Sequence, residues 1–118
     1  MLSIRQDVMD GLRAEGREDF VARMAAHFTP LYPDICKSLG AEGTRQRIRR
    51  GIDRAAGHDI TGEADVCRFL GLQFEYGEDF ENDPRLPWAA AILATDQPRK
   101  GERLYRAALL RARTVHPA

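Results

Sequence analysis

The chain has 118 residues, with 18 Lys and Arg balanced by 18 Asp and Glu. That length suits one domain whose core can bury roughly two-thirds of the surface of its unfolded chain, with no need for metal or disulfides. A hydrophobic share of 43% against 31% charged excludes a wholly disordered chain. The longest apolar run, residues 88–94, falls far short of the roughly 20 residues that span a bilayer. Arg5, Asp7 and Asp10 interrupt the start where a secretory signal needs an apolar stretch. The expectation is a soluble, cytoplasmic, all-α protein, residues 1–118 forming a single compact domain of five to six helices.

Ser3 is placed to cap a long amphipathic helix through Ile4, Val8, Leu12, Phe20, Met24 and Phe28, with a bend expected near Glu15 and Gly16. Pro30 and Pro33 end it and start a short helix over 34–39 that Gly40 stops. A third block covers 44–56, with Ile48, Ile52 and Ala55 inward. Thr61 reads as an N-cap, and Glu63 and Asp65 favour the first turn of the next helix. That helix, about 62–79, is the expected centre of the core through Val66, Phe69, Leu70 and Phe74. The prolines of Asp83-Pro84-Arg85-Leu86-Pro87-Trp88 make a rigid connection into a helix through Ile92 and Leu93. Pro98 starts the last helix, with Leu104, Tyr105, Ala108 and Leu109 inward.

Several patterns bear on chemistry. His-x8-Cys occurs twice, at His27 and Cys36 and at His58 and Cys67, inside segments that share Asp-Ile/Val-Cys-Lys/Arg-x-Leu-Gly; the flanks do not match, so two similar helix ends explain it better than a repeat. These four side chains have the right types for zinc but not the close pairing of structural sites. Reduced, buried thiols and no metal are expected. Glu75, Glu78 and Asp79 share a helix face, which suits acid–base chemistry only with a pocket and a perturbed pKa. The acidic alternation 79–83 fails as a calcium loop because Pro84 stands where Gly is needed.

Two segments are basic: Arg45, Arg47, Arg49, Arg50 and Arg54 against Asp53, and Arg99, Lys100, Arg103, Arg106, Arg111 and Arg113 against Glu102. Without a nucleic-acid motif and with a neutral chain, they read as partners of the acidic segment and solvated helix faces. No phosphate loop or Ser elbow is present, and Ser3 and Ser38 are the only serines. No catalytic residue, cofactor, nucleic-acid partner or membrane partner is expected.

The run Gly57-His58-Asp59-Ile60-Thr61-Gly62-Glu63-Ala64-Asp65-Val66-Cys67-Arg68-Phe69-Leu70, then Phe74 to Ala89 with Asp83-Pro84-Arg85-Leu86-Pro87-Trp88, resembles small helical proteins encoded beside type VI secretion effectors. Met24, Phe28, Pro33 and Cys36 resemble the first block of that family, so the likeness covers about residues 18–95. It departs at Gly71-Leu72-Gln73, where the family is more apolar. The resemblance implies a non-enzymatic accessory, a co-chaperone that binds an effector-loading adaptor or the toxin; an immunity protein against a cognate toxin is the alternative, and a small enzyme a third. Tyr76, Glu78, Asp79, Phe80 and Glu81 are the expected exposed docking set, with Phe69, Leu70, Phe74, Asp83, Pro84, Pro87 and Trp88 structural.

Overall fold

Apolar side chains recur at helical spacing along most of the chain, and the computed structural model, which describes residues 14–115, turns them into five helices and no strand among the described residues. Helix α1 is Ala14–Leu31, α2 is Pro33–Gly57, α3 is Glu63–Tyr76, α4 is Pro87–Leu93 and α5 is Lys100–Val115, with a single 3-10 turn at Phe80–Asn82. The expected helix from Ser3 through Ile4, Val8 and Leu12 lies outside the described residues up to Ala14.

The inner face of α1 is Phe20, Val21, Met24 and Phe28, all buried. Proline shapes the junction between the first two helices: Pro30 falls in the last turn of α1, and Pro33 opens α2 with Tyr32 just before it. Two expected blocks are joined in α2. Gly40 still breaks it, since its φ of 80° and ψ of 170° are non-helical, but helical backbone resumes at once instead of at Thr44. An L side chain rarely adopts that φ, so glycine allows the kink.

Helix α3 is the centre of the core. Val66, Phe69, Leu70, Leu72, Gln73 and Phe74 are buried, and the helix packs against α1, α2, α5 and the 3-10 turn. Its start and end differ from expectation by one and three residues. Gly62, with extended backbone, takes the N-cap position expected for Thr61, and the Val66 N–H donates to the Gly62 carbonyl at 2.8 Å. At the other end Gly77 adopts a φ of 111° and turns the chain before Asp79. The helix start also carries Glu63 and Asp65 in its first turn, where its dipole favours them.

Aromatic packing links the elements. Phe28 and Tyr32 stack on Phe74 with centroids 4.8 and 5.4 Å away, and Phe69 meets Phe80 at 5.2 Å. The last helix seats Leu104 and Ala108 in the core, but Tyr105 and Leu109, expected inward, are 44% and 48% exposed. The buried stripe of α5 is narrower than the apolar stripe in its sequence, because among the described elements the helix packs against α3 and α4 alone.

Candidate functional site

The acidic segment after α3 lies along the arginines of α2. Arg50 donates to both Glu78 carboxylate oxygens at 2.9 and 3.1 Å, which holds that carboxyl below its ordinary range. Arg54 bonds both Asp79 and Glu81, and His58 Nε2 lies 3.6 Å from Glu81 Oε2. Gln73, fully buried, donates its amide to the Glu78 carbonyl at 3.1 Å, while Arg47 donates to the Gln73 carbonyl at 2.6 Å and lies over the Phe74 ring. The polar Gln73 at the expected departure from the family pattern thus ties the turn after α3 to the core.

This geometry corrects the expected docking set. Phe80 is 1% exposed and Glu81 4%, because the 3-10 turn points Phe80 at Phe69 and brings Glu81 to Arg54. Tyr76 is half-buried against Trp88, with its phenol pushed up by burial, and Glu78 is engaged by Arg50. Asp79 is the one exposed member, and it too is bonded, by Arg54. A contact surface at Phe80 and Glu81 would require the segment to leave the core.

The Asp-Pro-x-x-Pro-Trp run has a conformational explanation. The Asp83 carbonyl accepts the Leu86 N–H at 2.9 Å, closing a turn, and its carboxylate accepts the Arg85 N–H at 2.9 Å. The Arg85 guanidinium, together with that Arg85 N–H, holds the Asp83 carboxyl down to about 2. Pro84 supplies a fixed φ at the second position of that turn, and Pro87 opens α4 where its missing N–H costs nothing. Trp88 is half-buried between Tyr76 and the Arg111 guanidinium. Phe69, Leu70 and Phe74 are all three buried.

An apolar surface lies elsewhere, in a groove of about 560 Å³ between the end of α1, the outer face of α3 and the flank of α5. Leu31, 58% exposed, stands on one wall and Tyr105 and Leu109 on the other; Gly71 and Leu72 lie between them. The Tyr32 hydroxyl donates to Glu75 at 3.0 Å, and burial together with that carboxylate pushes the phenol up to about 12. Cys67, expected in the core, is half-exposed on this groove, and burial raises its thiol; Cys36 is buried. His27 also lines the groove, while His58 stands by Phe69 and Glu81, so the four side chains weighed for zinc are dispersed. Among the described residues no group of three or more His, Cys, Asp or Glu side chains is placed to hold a metal ion.

Sequence periodicity put Tyr105 and Leu109 inward and so missed this groove; the available signal was a stripe on α5 wider than one neighbouring helix covers. In a separate hollow with Ile92, Pro98 and Leu110, Arg99 and Arg106 both pair with Glu102, at 2.7 and 2.9 Å, and Arg103 bonds the neutral oxygens of Pro98 and Gln97. No helix among the described residues is long and apolar enough to cross a membrane. Comparison with protein-family models, with curated proteins and with solved structures found no match to this chain.

Proposed function

We propose that the chain is a non-enzymatic, protein-binding accessory of a type VI secretion effector cluster, a co-chaperone that holds the effector-loading adaptor or its toxin in the cytoplasm before secretion. The secretion context comes from the resemblance of residues 18–95. The binding role is supported by one observation above others: Leu31, Tyr105 and Leu109, three of the five large hydrophobic side chains exposed among the described residues, line one apolar groove. Large exposed apolar side chains grouped at a concavity, and rimmed by charge, suit a protein interface.

The test is co-expression of the tagged chain with the adaptor and the toxin encoded beside it. A co-chaperone co-purifies with one of them, and its deletion abolishes toxin delivery while leaving the producing cell unharmed. Rescue of cells that express the toxin alone, with delivery unaffected by the deletion, would replace this reading with the immunity one.

A further inference from the structure

The segment between α3 and the Asp83 turn is attached to the rest of the domain by side chains. Within it the N–H groups of Phe80, Asn82 and Asp83 donate to the carbonyls of Gly77, Asp79 and Phe80, and among the described residues no backbone hydrogen bond joins residues 78–82 to another helix. What holds it down is Arg50 on Glu78, Arg54 on Asp79 and Glu81, the Gln73 amide on the Glu78 carbonyl, and the Phe80 ring against Phe69. Its two ends are built differently from its middle. At one, Gly77 takes a φ of 111° with open space where a side chain would stand. At the other, the Asp83 carboxylate bonds Arg85 and its carbonyl accepts the Leu86 N–H, contacts inside one turn that do not depend on α2.

We propose that residues 78–82 form a strap that opens as a unit about Gly77 and the Asp83 turn while the five helices stay packed, with the α2 arginines as its latch and ionic strength as its control. This opening does not depend on the chain's role in secretion. Three features of the closed state favour it. The latch is ionic and reached by solvent, since the side chains of Arg50 and Asp79 are 57% and 73% exposed, so salt screens these pairs. Buried acceptors are left unsatisfied: Arg54 and His58 both approach Glu81 Oε2, while Glu81 Oε1 and Gln73 Oε1 are buried without a hydrogen-bond partner. Their desolvation costs free energy that water returns when the segment lifts. The third feature is the local backbone bonding, because lifting the strap breaks no hydrogen bond of α2 or α3. Phe80, buried against Phe69, opposes the opening and keeps the open state a minority. In that state Arg50 and Arg54 lose their internal carboxylates and the Phe69 ring loses part of its cover, which gives α2 and α3 a basic and apolar surface absent from the closed fold.

Native-state hydrogen exchange of the full chain tests this, read amide by amide by NMR at urea concentrations below the unfolding transition. The Phe80, Asn82 and Asp83 amides are expected to share one protection factor, at least about tenfold below those of Phe69 and Leu70 in α3, and to show a weaker urea dependence, as a sub-global opening does. Raising NaCl from about 0.01 M to about 0.15 M, which shortens the Debye length from about 30 Å to about 8 Å, should speed their exchange relative to unstructured reference peptides. Glu78→Gln removes the Arg50 pair with little change of shape and should raise the opening frequency by roughly two- to fivefold. If the three amides match Phe69 and Leu70 in both rate and urea dependence, the segment leaves only when the whole domain unfolds, and there is no strap. Three unrelated rates would refute opening as a unit, and exchange indifferent to salt and to Glu78→Gln would refute the ionic latch. The first measurement uses the parent chain, so the strap stands or falls without any variant.

Discussion

Replacing Gly101 by Ala puts a methyl group where the structure has no room for one. Gly101 is buried in the first turn of α5, and a Cβ there would lie 2.5 Å from the Asp65 carbonyl oxygen, 2.8 Å from its Cβ and 2.9 Å from its Cα. Non-bonded carbon atoms rest about 3.5–4.0 Å apart, and two of these three neighbours are backbone of the first turn of α3, so no rotamer change relieves the contact. The start of α5 must move outward, loosening Leu104 and Ala108. Overpacking of this kind costs about 1–3 kcal/mol, and the rigid neighbour argues for the upper end. Alanine's helix propensity returns up to about 1 kcal/mol. The net is a loss of about 2 kcal/mol, or a fall of roughly 10 °C in Tm for a domain of this size.

Gly71→Ala is the internal comparison. Its Cβ would sit 3.6 and 3.8 Å from the Phe28 ring, ordinary contact distances. Here the propensity gain of up to about 1 kcal/mol is unopposed, and Tm should rise by a few degrees. Thermal and urea unfolding followed by circular dichroism would measure both. A Gly101→Ala variant as stable as the parent would refute the close seating of α5 on Asp65.

The polar geometry supports three further outcomes. Arg54→Ala leaves the buried Glu81 carboxylate with the His58 imidazole, 3.6 Å away, as its remaining partner; breaking such a pair costs about 3–5 kcal/mol in a closed interior, and the partial exposure of Arg54 lowers this to about 2–3 kcal/mol, read as a lower urea midpoint that Glu81→Gln in the same background partly restores. Tyr32, pushed up to about 12 in the fold, stays protonated where the unfolded phenol, near 10, ionises; the stability this contributes is complete below pH 10 and lost as pH rises from 10 to 12. Tyr32→Phe should flatten that alkaline fall and remove the late phase of the phenolate absorbance titration, and a Tyr32 midpoint near 10 would contradict the Glu75 contact. Glu78→Lys with Asp79→Lys sets lysines against Arg50 and Arg54, so the double variant should lose stability and regain part of it in high salt, which screens the new repulsion.

The parts of this fold that were legible in the sequence are those set by short-range physics. The inner faces of α1 and α3 follow from apolar residues at helical spacing, Gly40 marks backbone that a side chain would strain, and Pro33 and Pro87 open helices where an N–H is dispensable. Phe80 and Glu81 were misplaced because their surroundings come from Phe69 and from Arg54, the latter 27 positions away. An acidic run viewed alone looks solvated; beside an arginine helix it becomes a clamp. Tyr105 and Leu109 were misplaced for the converse reason, since periodicity marks which residues share a face but not how many neighbours that face will meet. The residues that carry the resemblance have largely conformational roles: Asp83 and Pro84 build a turn, Pro87 opens α4, and Thr61 precedes the cap position without occupying it.

The equal numbers of acidic and basic residues conceal a polarised surface. In sequence the arginine-rich parts of α2 and α5 look alike. Helix α2 lies between α1, which supplies Glu18, and the 77–81 segment, which supplies Glu78, Asp79 and Glu81, so its positive charge is met from both sides. Helix α5 packs inward on α3 and α4, and among the described residues no third element crosses its outer side. Whole-chain neutrality then argues less against charge-guided binding than composition suggested, because screening limits electrostatic reach to about 10 Å at moderate salt. The acidic segment, conspicuous in composition, thus supplies the negative charge that neutralises the basic helix α2.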